Sequence, residues 1–157
     1  MILLTVGTQL PFDRLIKIVD DAAPQVQEDI VAQIGKGRYI PKNLRFQASF
    51  DPTAFDALLK QARVVVGHAG IGTVLKAQEY RLPIILFPRR AAFKEHRNEH
   101  QLATASVLEG RSGIYVAHTG EQLVDFLSRP LEPPVPQLMH PDRTRLNQAL
   151  FDYIMQA

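Results

Sequence analysis

The chain has no cysteine. That removes disulfides, thiolate metal sites and cysteine nucleophiles at once, and it fits a cytosolic protein. Nor is there an apolar run approaching the roughly 18 residues that a membrane-spanning helix needs. No secretory leader is written at the start, because Met1 to Val6 is a short apolar stretch that runs straight into Gly7. Charge of one sign is not in excess either: 18 basic side chains face 16 acidic ones, and a net charge of +2 is too small to argue for a nucleic-acid partner. Carboxylates do not cluster at metal-ligand spacing, so no metal and no other cofactor is expected. Two phosphate-binding fingerprints are also missing, since neither G-x-G-x-x-G nor the Lys-Ser/Thr of a P-loop occurs. Internal repeats and low-complexity segments are absent.

What remains is an ordinary globular composition. The chain has 157 residues, 46% of them apolar and 22% charged, enough for one domain with a real core. Short apolar runs read as strands at residues 2–6, 29–34, 44–48, 63–66, 84–87 and 113–116. Between them lie segments with helical spacing. The first is opened by Pro11 and carries Phe12, Leu15, Ile16 and Val19 on one stripe. The second begins at Asp51-Pro52, an N-cap followed by proline at the first helical position, and runs to about Ala62. A third follows the glycine cluster to about Tyr80, and a fourth covers residues 98–108. Thr119 caps a fifth, with Gln122 in the box position three residues on. Residues 129–141 are proline-rich and read as an extended tether. Asp142 caps a last helix with Leu146, Leu150, Tyr153 and Ile154 on one side. Strands alternating with helices predict a Rossmann-like parallel sheet with helices on both faces. The triple valine at 64–66 predicts a strand buried on both sides. Residues 1–128 make the expected ligand-binding domain, and residues 129–157 the tether and terminal helix.

Ligands of such sheets sit at the carboxyl ends of the strands. Three loops are expected there: Gly7-Thr8-Gln9, the cluster Gly67 to Gly72, and the loop after Phe87. Glycines between a buried strand and a helix let another group approach closely, and the helix start adds free N–H groups and a positive dipole end. That makes a diphosphate cradle without a metal; the same glycines are equally what a plain strand-to-helix turn needs for packing.

The surrounding motifs decide between these readings. Gly67-His68-Ala69-Gly70-Ile71-Gly72-Thr73, Arg81-Leu82-Pro83-Ile84-Ile85-Leu86-Phe87-Pro88 and Asn98-Glu99-His100-Gln101-Leu102-Ala103-Thr104-Ala105 resemble the C-terminal domain of family 28 glycosyltransferases. The opening Val6-Gly7-Thr8-Gln9 with Pro11-Phe12-Asp13-Arg14-Leu15 is similar to the small catalytic subunits of bipartite transferases, the eukaryotic dolichol-linked N-acetylglucosaminyltransferase and the bacterial exopolysaccharide subunits of the PssE or EpsE type. Pro88-Arg89-Arg90 with His96-Arg97-Asn98-Glu99-His100-Gln101 resembles the bacterial subgroup. The resemblance covers roughly residues 1–128.

It implies a domain equivalent to the C-terminal half of a GT-B enzyme. The activity implied is UDP-sugar-dependent and inverting, with transfer to a polyprenyl-diphosphate-linked saccharide in polysaccharide synthesis. Gly7, Thr8, His68, Ala69, Gly70, Gly72 and Thr73 would enclose the donor diphosphate. His100 and Gln101 would reach the donor sugar, and Gln33 and Gly35 would lie near the cleft. Where many relatives grip the ribose with a glutamate, this chain has Lys76, which donates to a hydroxyl but cannot accept from one; Glu79, one turn on, is a possible substitute.

The base that deprotonates the acceptor belongs to the other domain in the family. His68 is the candidate by position here, against the plainer role of an imidazole donating to phosphate or satisfying its loop. The basic stretch Arg89, Arg90, Lys94, His96 and Arg97 either is a solvated loop or binds an anion, whether a donor carboxylate or the diphosphate of a lipid acceptor, with Arg89, Arg90 and Arg97 as the candidate anion contacts. With a strand at the first residue, the acceptor-binding half is expected from a separate, membrane-anchored subunit that brings the chain to the inner face of the membrane. The terminal helix either docks on that subunit or packs on its own domain. Two other readings remain: a non-catalytic nucleotide-binding or regulatory module of the same fold, and a nucleoside-diphosphate-sugar epimerase, which would need both domains in one chain.

Overall fold

The structure, a computed structural model, describes residues 1–136 together with Gln148, Phe151 and Asp152. In chain order the elements are β1 (Ile2–Thr5), α1 (Asp13–Ala22), β2 (Ile30–Gln33), β3 (Arg45–Gln47), α2 (Pro52–Gln61), β4 (Val64–Gly67), α3 (Ile71–Glu79), β5 (Ile84–Leu86), α4 (His100–Leu108), β6 (Ile114–Val116) and α5 (Gly120–Leu127), with single 3-10 turns at Ala23–Gln25 and Ala91–Phe93. All strand pairs are parallel, and the six strands lie in the order β3-β2-β1-β4-β5-β6. This is the Rossmann-like α/β sheet that the alternating pattern predicts.

Alternation along the central strands divides the core between two faces. Ile2, Leu4, Val64 and Val66 join Leu15, Ile16 and Val19 of α1 and Leu123 and Leu127 of α5. Leu3 and Val65 point the other way, to Leu59 of α2, Val74 and Ala77 of α3, and Ala105 and Leu108 of α4. The three valines of β4 are fully buried, each contributing about 1.5–3 kcal/mol relative to exposure. In contrast β3, at the sheet edge, is exposed throughout.

Local signals set the helix starts. Asp51 accepts from the Ala54 N–H at 2.9 Å with Pro52 as the first helical residue. Thr119 accepts from the Gln122 N–H at 3.2 Å. Gln122 then reaches back one residue further than a capping box does, taking the His118 N–H at 2.7 Å. Two starts differ from expectation. Phe12, not Pro11, is the cap of α1, because its extended φ of −145° stays outside the helix. α4 begins at His100 rather than Asn98, because the Asn98 carboxamide accepts the His100 N–H and closes a turn instead.

From residue 129 to residue 136 the proline-rich stretch has no helix or strand, and it is bonded to β6 and the turn before it. Tyr115 Oη accepts the Glu132 N–H at 2.9 Å and Ser112 Oγ accepts that of Val135 at 2.7 Å. The expected terminal helix, residues 142–155, lies outside the described residues save for Gln148, Phe151 and Asp152, which are helical and exposed.

Carboxylates tie down the loops. Asp20, almost fully buried on α1, accepts from Tyr39 Oη at 2.6 Å and from the N–H groups of Lys42 and Asn43 at 3.0 and 2.7 Å. Burial works to raise its pKa, but these hydrogen bonds, with Lys17 nearby, together hold it below the ordinary value. Its contribution is therefore present above the unfolded-state pKa and lost as pH falls below it. Asp20→Asn turns an acceptor into a donor facing other donors; it should cost about 2–3 kcal/mol in denaturant unfolding at neutral pH. The gap from the parent should narrow below pH 4, and a constant gap would contradict this account.

Candidate functional site

The strand order reverses direction between β1 and β4, so their following loops part and leave a crevice. Thr5, Gln33 and Gly67 lie in one row at its floor. Thr5 Oγ1 accepts from the Gly7 N–H at 3.3 Å and from Gln33 Nε2 at 3.2 Å, and Gln33 Oε1 accepts the Phe50 N–H at 3.0 Å. Above this floor lies an open cavity of about 750 Å³, within the range of small-molecule sites.

One wall is the loop from His68 into α3. The imidazole packs against two glycines. A Cβ on Gly7 would stand 3.0 Å from His68 Cε1, and one on Gly70 would overlap Nε2. Gly7 is doubly required, since its φ of 75° is left-handed. Burial, with Arg89 and His96 adding to it, pushes the His68 pKa down to about 4. The ring is neutral at neutral pH, and its buried Nδ1 has no hydrogen-bond partner among the described residues.

Gly70 caps α3 without any side-chain bond, so the first N–H groups of the helix open on the cavity. A Cβ on Gly72 would meet nothing within 4 Å. Helix start, dipole and open space thus coincide.

The opposite wall comes from the loop after β5. Arg89 is 2% exposed. It donates through Nη1 to the Pro11 carbonyl at 2.6 Å, and through Nη2 to those of Val6 at 2.7 Å and Leu10 at 2.9 Å. Its own N–H donates to Gln101 Oε1 at 2.9 Å. This fixes the carboxamide, leaving its NH₂ end toward the cavity that Gln101 lines. At the far end stand Phe55 of α2 and Lys76 of α3. Lys76 lies 3.6 Å from Asp56 and 3.3 Å from Glu79, and the Glu79 hydrogen bond leads the influences raising its pKa.

Of the residues singled out from sequence, the structure brings together Gly7, Thr8, His68, Gly70, Gly72, Thr73, Gln101 and Arg89, with Gln33 at the floor. It does not bring Ala69, His100, Arg90 or Arg97 to the cavity wall. Ala69 turns into the core beneath α3. Arg90 pairs with Glu99 at 3.2 Å, and Arg97 is exposed. Arg89 is placed at the wall, but its terminal N–H groups are engaged with carbonyls, so it shapes the loop rather than offering a free fork to an anion. Glu79 is turned to Lys76 and does not line the cavity. Thr5, Phe55 and His96 line it without having been marked individually as donor contacts. Thr5 was within reach as the last residue of a strand; Phe55 carries no local signal, because only the packing of α2 brings it there. Among the described residues no three histidine or acidic side chains gather as a metal ion would need, and no helix is long and apolar enough to cross a membrane.

Gly70→Ala should displace the imidazole and lower thermal stability, while Gly72→Ala, facing open space, should melt within about 0.5 kcal/mol of the parent. Equal effects would sink the assignment of these glycines. His68 adds a pH test. The unfolded chain takes up the proton near pH 6.5 and the folded one only near 4, so stability is full above that window and falls through it. His68→Gln should remove on the order of 3 kcal/mol of that loss, measured as the difference between the two unfolding curves.

Residues 1–149 match the glycosyltransferase family 28 C-terminal domain. The UDP-N-acetylglucosamine transferase subunit ALG13 of Mus musculus is 31% identical over 106 residues, 60% of this chain but 9% of that protein. The solution structure of ALG13 superposes with a TM-score of 0.59 at 18% identity, covering 92% of this chain and 93% of that one. The glycotransferase of kitacinnamycin has a TM-score of 0.59 at 21% identity, over 82% of this chain and 35% of that one. For the glycosyltransferase SnogD of Streptomyces nogalater the values are 0.53, 24%, 76% and 31%. At these identities the solved structures establish the fold, and the chain spans about a third of the two larger enzymes. With nearly its whole length inside the family match, the chain belongs to the glycosyltransferase family 28 C-terminal domain family, with the fold of one half of a GT-B transferase.

Proposed function

We propose that this chain is the donor-binding, catalytic subunit of a two-component inverting glycosyltransferase. It takes a sugar from a UDP-sugar and passes it to a polyprenyl-diphosphate-linked saccharide in polysaccharide synthesis. One observation carries the reading. The cavity wall contains the open start of α3, the cations Lys76 and Arg89 and, among the described residues, no carboxylate. Such a surface favours a dianionic leaving group before and after the bond breaks, without reorganising. The diphosphate lies against Gly72 and Thr73, with the neutral His68 ring offering one more polar contact beside it. The nucleoside extends toward Phe55 and Lys76, and the Gln101 NH₂ and His96 face the sugar. The name of the mouse relative supports a uridine nucleotide and a subunit role, and makes UDP-N-acetylglucosamine the first donor to try.

The missing carboxylate has a second consequence. Accepting the proton of the incoming hydroxyl needs a base, and His68, with its pKa near 4, is a weak one. The base therefore comes from an acceptor-binding, membrane-anchored subunit, which holds this chain at the cytoplasmic face. Residues 129–157 serve as the segment that reaches it. Arg90 and Arg97, beside the cleft on the loop after β5, meet the acceptor diphosphate. The same absence of a base favours one other reading, a nucleotide-binding or regulatory module that does not turn over.

Calorimetry on the chain with UDP, GDP and TDP tests the donor site. UDP should bind, and Gln101→Ala should weaken UDP-N-acetylglucosamine about fivefold, the value of one hydrogen bond, while leaving UDP unchanged. Absence of nucleotide binding, alone or with the partner, would remove the transferase reading. Binding without transfer in the assembled pair would leave the regulatory one.

A further inference from the structure

We infer that Arg14 and Glu95 are positioning residues for the sugar-facing wall of the cleft, a claim that deepens the donor-site reading and rests on it for the ligand. Neither side chain lines the cavity. Arg14, in the first turn of α1, donates Nε to Glu95 Oε1 at 2.7 Å and Nη2 to Glu95 Oε2 at 2.8 Å, a bidentate pair. The same Nη2 reaches the Pro88 carbonyl at 3.2 Å. The guanidinium lies 4.5 Å from the ring centre of Phe87 and 4.9 Å from that of Phe93. The Glu95 side chain is only 10% exposed, and its Oε2 also accepts the Arg90 N–H at 2.9 Å. An exposed ion pair with free rotation contributes little. This one is held by two parallel bonds, an aromatic sandwich and a buried acceptor.

The pair fastens a loop that also has bonds of its own: the Phe93 and Glu95 N–H groups donate to the Arg90 carbonyl, each at 3.2 Å, and Glu99 Oε1 accepts the Ala91 N–H at 2.9 Å. The turn Ala91–Phe93 closes with Lys94 in the left-handed region, at φ 59°, a conformation uncommon for a residue other than glycine. Glu95 comes next and is the anchor; His96 follows and enters the cavity wall. On the other side of the turn, Arg89 has its backbone N–H on Gln101 Oε1 and its guanidinium on the carbonyls of residues 6, 10 and 11. A force on Glu95 is thus passed through one short turn to both sugar-facing groups, His96 and the Gln101 carboxamide. The part of the diphosphate end built on α3 is not on this path, which meets that end only where the Arg89 guanidinium holds the loop after β1.

The experiment compares the full chain with Arg14→Lys, which keeps the charge and loses the fork, and with Glu95→Gln, which keeps the shape and loses the charge. Thermal melts first establish that each variant folds. Amide hydrogen exchange of residues 89–98 is then measured without ligand, and UDP and UDP-N-acetylglucosamine are titrated separately. The expected result is exchange about tenfold faster in this segment. UDP affinity should stay within about twofold of the parent, and the ratio of sugar-nucleotide to UDP affinity should fall by about tenfold, equivalent to about 1.4 kcal/mol. Unchanged exchange overturns the proposal, as does equal weakening of both ligands, which is what a merely structural role produces. A parent protein that binds neither nucleotide counts against the donor site instead, and the exchange arm then decides the clasp alone.

Discussion

A helix that begins at the carboxyl edge of a sheet leaves N–H groups that its own turns cannot satisfy, and in α3 no side chain does it for them. Polar groups near a core need partners, so this start must face either solvent or a ligand. The rest of the site follows from keeping that opening clear. Gly72 leaves the approach empty. Gly7 and Gly70 lodge an imidazole that closes the gap between β1 and β4 without adding charge, since burial strips its proton. A protonated histidine there would attract an anion more strongly, but it would also repel Arg89, whose charge is needed at the opposite wall. Neutrality lets both groups occupy one small space.

The second constraint is that a parallel sheet ends in loops, and loops alone do not keep a shape. Here charged side chains on α1 reach outward to fix them, one by one. Asp13 Oδ2 accepts the Arg38 N–H at 3.0 Å in the loop after β2. Arg14 grips the loop after β5, and Asp20 the segment before β3. Three residues on one helix thereby govern both flanks of the crevice, while its apolar stripe packs on the sheet. The helix that sequence patterning presents as a core element is also the scaffold to which the loops of the site are fastened. Asp13 and Arg14 look, in the sequence, like ordinary first-turn residues; an N-terminal aspartate satisfies the helix dipole whatever else it touches.

That difference marks how far the residues could be read before the fold was known. Elements written in short-range pattern were legible: the triple valine of β4, the Asp51-Pro52 start, Thr119 with its partner three residues on. So was the end of the sheet where a ligand sits, because parallel strands follow from alternation and ligands sit at their carboxyl ends; the strand order, which sets where the crevice opens, was not. Side-chain partners more than a few residues away were not. Arg89 reads as a loop cation until the structure shows its guanidinium among the carbonyls of residues 6 to 11. Ala69 sits inside the glycine cluster by sequence and beneath it in space, because the chain turns at Gly70 and sends the preceding Cβ into the core. His100 and Gln101 are neighbours on α4, and a helix sends successive side chains about 100° apart, so only one of them reaches the cavity.

The proposed division of the reaction between two subunits has an electrostatic rationale. A carboxylate that faces a diphosphate with no cation between them repels it, and none is among the described lining residues. A base for an acceptor hydroxyl is most readily a carboxylate or a histidine with a pKa near neutrality. Putting a carboxylate in this cavity would set it against the leaving group, and raising the His68 pKa would require exposing a ring that the glycines are arranged to enclose. The two chemical tasks thus make opposite demands on one electrostatic environment. Separating them onto surfaces that meet only across a cleft resolves the conflict, and it accounts for a domain that carries a well-formed cation-lined pocket beside a histidine unsuited to take a proton.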